Sequence, residues 1–205
     1  MKFENKILLV NIDMKYLEFL HNVDSNIYYD DNNPNYYLKP HVGILLCAKN
    51  GFKYVIPLTS AKEKHKNWPD VSADYFRIYE VVDIRKDDIN DQDIIVDIKN
   101  HELLNKIPNN EVKFFKQKIL SVLDLRRMIP VVDGTYHCVD MKLGIDIMQN
   151  RRVALLIKEL LFIKGISEEI ENKATKIYSK QKDSGKVLKY YNNFSKLEEA
   201  SKEYI

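Results

Sequence analysis

The sequence predicts an α+β fold, a small twisted antiparallel β-barrel-like sheet with helices packed outside. Three observations carry that expectation. Short apolar runs separated by turn formers fill much of the N-terminal half. Lys49-Asn50-Gly51, a strong hairpin signal, stands between two of them. Apolar residues recur at helical spacing in the C-terminal third, most clearly from Arg151 onward.

Ile7 to Ile12 reads as a strand, and Asp13 can cap a short helix in which Tyr16, Leu17 and Leu20 share a face. Residues 22–40 are rich in Asn, Asp, Pro and Tyr and form a loop long enough to carry function. His41 to Ala48 and Phe52 to Leu58 are the two arms of the hairpin, the second ending at Pro57-Leu58-Thr59-Ser60. A short polar helical stretch, Ala61 to Asn67, is closed by Trp68-Pro69. Tyr75 to Tyr79 with Val81-Val82 is another strand, and Ile119 to Val132 is β-rich. Between them the chain is acidic and poorly patterned, so 84–118 reads as an insertion with one short helix. The clearest helix runs from about Arg151 to Lys164 with Val153, Leu156, Leu160 and Ile163 as its stripe. Its pattern continues to about Lys180, which predicts a long helix near 151–180. Phe194 then leads into a last helix from Ser195 to about Tyr204.

Size and composition bound the function. A chain of 205 residues is long enough for one well-buried core, so 1–205 is expected to be a single domain. An apolar share of 45% and a charged share of 30% exclude wholesale disorder. No apolar stretch approaches the roughly 18 residues of a membrane span, and the N-terminus lacks a secretory layout, which predicts a cytoplasmic protein with no membrane partner. Cys47 and Cys138 have no CxxC spacing, and the five histidines are scattered, so neither a metal site nor a cofactor is expected. Phosphate-loop, dinucleotide, zincin and serine-hydrolase motifs are absent. Charge is uneven: six lysines (Lys173, Lys176, Lys180, Lys182, Lys186, Lys189) face one acid, Asp183, whereas residues 83–97 carry six aspartates against Arg85 and Lys86. An unbalanced basic segment suits a polyphosphate partner, although lysine runs are more often solvated helix faces.

The densest polar cluster is Thr59-Ser60-Ala61-Lys62-Glu63-Lys64-His65-Lys66. Ser60 to Glu63 fits S-x-x-E, an ordinary capping box. Two hydroxyls and a lysine at the start of a helix also make an anion cradle, in which Lys62 would stabilise charge building up on a phosphate. Both readings stand at this level. Tyrosines in the loop, among them Tyr36 and Tyr37, could stack on unpaired bases, or they reflect composition alone, since the chain has 13 tyrosines.

A series of short blocks in chain order carries a resemblance. It comprises Lys15-Tyr16, Gly43-Ile44-Leu45, Pro57-Leu58-Thr59-Ser60-x-Lys62, Met128-Ile129-Pro130, Leu160-Leu161-Phe162-Ile163 and Asn193 to Glu199. The series resembles the ToxN/AbiQ toxins of type III toxin–antitoxin systems; Ile84 to Lys118 lies outside it and is longer than the family pattern. The resemblance implies a barrel like that of the Kid/MazF toxins. It implies metal-independent RNA cleavage by attack of the ribose 2′-hydroxyl on the adjacent phosphate, leaving 2′,3′-cyclic phosphate and 5′-hydroxyl ends. It implies as partner a small, repeated, pseudoknot-like antitoxin RNA, trimmed and then bound in a closed protein–RNA assembly, with cellular or phage mRNA as substrate, no protein cofactor and a role in phage abortive infection. Carried over by position, Ser60 and Thr59 would contact the scissile phosphate, Lys62 would stabilise it, and Tyr16 would lie across the same pocket. Tyr36 or Tyr37, Lys64 and His65 would be further RNA-contacting residues, and Lys173, Lys176, Lys180, Lys182 and Lys186 would grip the antitoxin. With no base visibly paired to it, the serine would act by hydrogen bonding. Two alternatives remain: an inactive RNA-binding module of the same fold, and a toxin paired with a protein antitoxin.

Overall fold

The computed structural model describes residues 1–3, 7–29, 42–48, 51–142 and 146–204. Tyr36, Tyr37, His41 and the first two residues of the hairpin turn, Lys49 and Asn50, lie outside them. The chain order is β1 (Leu9–Ile12), α1 (Met14–Val23), β2 (Val42–Cys47), β3 (Lys53–Ser60), β4 (Tyr75–Asp83), β5 (Ile94–Asp97), α2 (His101–Leu104), β6 (Phe115–Asp124), β7 (Ile129–Val131), β8 (Tyr136–Cys138), α3 (Ile147–Gly165), α4 (Ser167–Ser184) and α5 (Phe194–Glu203). As expected, Asp13 caps α1, its carboxylate accepting the N–H groups of Lys15 and Tyr16.

The strands form one antiparallel sheet in the order β4-β6-β3-β2-β1-β8, with β5 added on β6 and β7 on β3. The hairpin joins β2 and β3 in the register Cys47↔Lys53 to Gly43↔Pro57. Among the described residues no pairing links β4 to β8, so the sheet is open. The expected closed barrel is therefore corrected. The physical reason lies in β3, whose outer edge is shared: β7 takes Lys53–Val55, and β6 takes Leu58–Ser60. The sheet thus turns a corner within one strand.

Both faces of that strand are covered, which explains its continuous apolar run in place of an alternating one. Tyr54 and Ile56 enter one core with Phe76, Ile78, Leu123, Leu156, Ile163, Ile170 and Phe194, beneath α3 and α4. Val55 enters a second core with Val10, Tyr16, Leu17, Leu20, Ile129, Leu197 and Ala200, beneath α1 and α5. The long helix expected near 151–180 is two helices. α3 begins at Ile147, and the helix is broken at Ile166 (φ −123°, ψ 18°) before α4 starts. The presumed insertion is partly sheet: β5 runs beside β6 from Ile94↔Ile119 to Asp97↔Lys116.

Candidate active site

The end of β3 places the polar cluster. Its last pairs are Leu58↔Leu123, Thr59↔Val122 and Ser60↔Ser121, after which the Ala61 N–H donates to the Leu120 carbonyl and the ladder stops. Both Thr59 and Ser60 are exposed. Successive strand residues alternate faces, so Ser60 continues the Tyr54, Ile56, Leu58 file that looks toward α3 and α4, and Thr59 looks the other way. Lys62, also exposed, follows two residues on and is extended (φ −138°, ψ 158°).

The stretch expected to be a helix is a 3-10 turn, Glu63–Asn67, and its cap is Lys62 rather than Ser60. His65 supplies what the capping box was expected to supply: its Nδ1 accepts the Lys62 N–H at 3.0 Å. The Ser60 hydroxyl is accordingly not spent on a helix end. His65 itself is buried, with the Trp68 ring against it at 4.7 Å between centroids, so it shapes the turn from within. Burial, and then the charges of Lys64 and Lys62, hold its imidazole below the usual histidine range.

A second layer anchors the turn from below. The Arg77 guanidinium is buried, donates to the His65 carbonyl at 3.0 Å, and ion-pairs with Asp70. Gln117 donates to the other Asp70 oxygen at 3.1 Å. Trp68 also packs on Tyr75 (4.5 Å), and Arg126, ion-paired with Asp124 at 2.8 Å, lies 5.6 Å from the Trp68 ring centre. Neither Trp68 nor Arg126 was singled out from the sequence. The nearest signal was Trp68-Pro69 at the end of the polar stretch.

Tyr16 is not brought beside Ser60. Its side chain is wholly buried, and its hydroxyl lies 2.8 Å from the Pro130 carbonyl and 2.7 Å from the Ser201 hydroxyl. Burial pushes that phenol up to about 12. Pro130 pairs with Tyr54, six residues up β3 from Ser60, or roughly 20 Å along the strand. The lysines divide too. Lys64, Lys176, Lys180 and Lys186 are exposed. Lys173 is tied down, donating to the Ser72 carbonyl at 2.6 Å and pairing with Glu169 at 3.0 Å. Lys182 pairs with Glu198 at 2.7 Å. Among the described residues no group of three or more His, Cys, Asp and Glu side chains is placed to hold a metal ion, and no helix is long and apolar enough to cross a membrane.

Residues 8–202 match the family model for toxin ToxN of type III toxin–antitoxin systems. Endoribonuclease AbiQ of Lactococcus lactis subsp. lactis is 29% identical over 192 residues, spanning 90% of this chain and 81% of that protein. Endoribonuclease ToxN of Pectobacterium atrosepticum is 26% identical over 163 residues, 80% of this chain and 74% of that one. In fold, the solved structure of the lactococcal anti-phage endoribonuclease AbiQ superposes with a TM-score of 0.65 at 22% identity, covering 98% of both chains. A structure from a bacterial antiviral system regulated by a processed non-coding RNA gives the same score at 24% identity, covering 100% of this chain and 99% of its own. With nearly its whole length matched, the chain belongs to the ToxN toxin family of type III toxin–antitoxin systems.

Proposed function

We propose that this protein is an endoribonuclease toxin of antiviral defence, cutting RNA at the end of β3 and restrained by a small, repeated, folded antitoxin RNA. The observation that carries the reading is the exposed Ser60, free of helix capping because His65 closes the turn, with the exposed Lys62 two residues on. Cleavage by the neighbouring 2′-hydroxyl asks for an in-line geometry and a charge stabiliser rather than a protein nucleophile. Ser60 would hold a non-bridging phosphate oxygen by hydrogen bonding, and Lys62 would meet the negative charge that grows there. The 2′-oxygen bonds to phosphorus as the bond from phosphorus to the 5′-oxygen breaks, the 2′-hydroxyl proton passes to solvent and the leaving 5′-oxygen takes one back, so the products are a 2′,3′-cyclic phosphate and a 5′-hydroxyl; Lys62 provides the cation this step needs. Thr59, on the opposite face of the strand end, flanks the path of the RNA. Tyr16 contributes through the packing of α1 on α5. The exposed Lys64, Lys176, Lys180 and Lys186 offer phosphate contacts to the antitoxin RNA.

The test is inducible expression of the wild type and Ser60→Ala in a bacterial host, with growth followed and total RNA mapped for new 5′-hydroxyl ends. Arrest and new ends from the wild type, both lost in the variant, are expected. Equal toxicity would remove Ser60 from the site, and no toxicity from either would point to an inactive RNA-binding module.

A further inference from the structure

Between the β8 edge of the sheet and the first half of α3 lies a cavity of about 250 Å³. Asn11 of β1 and His137 of β8, directly opposite each other in the ladder, line it from the sheet. Gln149 and Arg152 line it from α3, and Val153 and Leu156 supply apolar surface. Most small-molecule pockets hold roughly 300–1,000 Å³, so this smaller one suits a single flat ring with the rest of its molecule outside.

Its polar groups are uncommitted. Among the described residues the buried Asn11 amide oxygen has no donor, while the amide nitrogen lies 3.4 Å from the His137 Nε2. A buried acceptor left without a donor is uncommon in folded proteins and marks a place where one comes from outside the chain, from water or from a ligand. Arg152 is exposed and forms no ion pair among the described residues, although Asp140 also lines the cavity. A guanidinium beside amide and imidazole groups over apolar carbon fits a nucleotide: the cation meets phosphate, the amides meet the edge of a base, and the apolar surface meets its face.

The cavity shares a face with the strand end. Leu9 enters the core beneath α3, so Asn11, two residues on, looks the same way as Ser60. Val10, Gly43 and Pro57 stand in one row across β1, β2 and β3, which sets Asn11 level with Leu58. Two strand spacings and two residues then separate Asn11 from Ser60, roughly 12 Å along the sheet. α3 spans the same interval: Arg152 stands at the cavity, and Lys158, about 9 Å further along the helix, pairs with Glu80 of β4. We propose that this cavity holds one unpaired base of the RNA flanking the cut, with Arg152 on its phosphate and Asn11 and Gln149 on its edge. The inference rests on the reading of the β3 end as the cleavage site and adds to it a place where sequence is read.

The experiment uses the full chain, a fluorescent single-stranded RNA carrying a cleavage sequence mapped with the wild type, and the same RNA made abasic at one position at a time around the cut. Cleavage kinetics and thermal stability are measured for the wild type, Arg152→Ala, Arg152→Lys, Asn11→Ala, Gln149→Ala and Ser60→Ala. On the intact RNA, Arg152→Ala is expected to raise KM about tenfold at nearly unchanged kcat and Tm, and Arg152→Lys to bring KM back to within about threefold. For the wild type, removing one particular flanking base raises KM about tenfold. Asn11→Ala shows the same rise on intact RNA and loses nothing further on that abasic RNA, because the two changes remove one contact. Its Tm stays level or rises, since an unpaired buried oxygen has gone. Wild-type KM values in Arg152→Ala and Asn11→Ala, with Ser60→Ala inactive, overturn the cavity and leave the cleavage site standing. An abasic penalty that Asn11→Ala keeps in full puts the base elsewhere, leaves the Asn11 oxygen to water and overturns the proposal as well. So does a KM that rises only together with a fall in Tm, which makes these residues structural. If Ser60→Ala cleaves like the wild type, the site reading fails and this proposal with it. Should Asn11→Ala not fold, Gln149→Ala, at an exposed helix position, decides the matter by the same criteria.

Discussion

His65 couples pH to the shape of the strand end. Its Nδ1 accepts the Lys62 N–H only while unprotonated, and its buried ring leaves little room for a second arrangement. Its folded pKa lies below the ordinary value of about 6.5, so between the two values the unfolded chain binds more protons than the folded one. The stabilisation is complete above about pH 6.5 and is lost as pH falls below that value toward the folded pKa. Between pH 7 and pH 5 the wild type should therefore lose thermal stability more steeply than His65→Gln, whose side-chain oxygen still accepts but does not titrate. Parallel Tm curves for the two proteins would show that the Lys62 turn does not depend on this imidazole. Sequence reasoning singled out both Ser60 and His65, but the capping it allowed to Ser60 falls to His65. A Ser-x-x-Glu string scores as a capping box wherever a helix follows, and only the paired Ser60–Ser121 register shows that Ser60 is still strand. Tyr16 was found for its position in a motif, and nothing local could tell that its hydroxyl turns toward Pro130 and Ser201.

Elements were legible where the signal was local. The β2–β3 hairpin followed from Asn-Gly between two apolar runs, and α1 from Asp13 before a helical stripe. The α3–α4 break was missed although Gly165-Ile166-Ser167-Glu168-Glu169 holds a helix-ending glycine and acids suited to a new first turn. An apolar stripe that continued through it, from Ile163 to Ile170, masked the stop. The stripe of α3 held, with Leu160 half-buried against the core, but the burial of Glu159 beside it had no signal in an apolar pattern. One glycine is required at the level of the hairpin itself. A Cβ on Gly43 would run into the Ile56 carbonyl and the Val55 side chain of the neighbouring strand, leaving no side-chain rotation to relieve it. Gly43→Ala should cost about 1–3 kcal/mol, the usual penalty of overpacking, read as a lower midpoint in urea with the slope unchanged. A midpoint equal to the wild type's would mean that β2 and β3 part there without loss.

Over the whole molecule, pattern alone could place strands but not close them. Strand closure depends on which edge β3 offers to which neighbour, and Tyr54-Val55-Ile56 looks the same in an open sheet as in a barrel. Charge behaves similarly. Counting lysines treats Lys173 to Lys186 as one basic segment, yet the fold commits Lys173 to the Ser72 carbonyl and Lys182, although exposed, to the Glu198 carboxylate, and gives Lys176, Lys180 and Lys186 no ion pair among the described residues. Cations committed to internal partners release no RNA counterions when RNA binds, whereas exposed ones do. The triple substitution of Lys176, Lys180 and Lys186 by alanine should therefore weaken binding of the antitoxin RNA. It should also flatten the plot of log affinity against log salt by about 0.7–0.9 for each phosphate no longer neutralised, so by about 2 if all three lysines take part. Its Tm should hold, because surface charges away from partners contribute little. Lys173→Ala with Lys182→Ala should do the reverse, lowering Tm while leaving the salt slope alone, since Lys182 compensates the largely buried Glu198. The two variants remove similar charge from the same stretch of chain, so any difference in salt slope measures geometry and not net charge. Identical slopes from both would locate the RNA elsewhere on the protein.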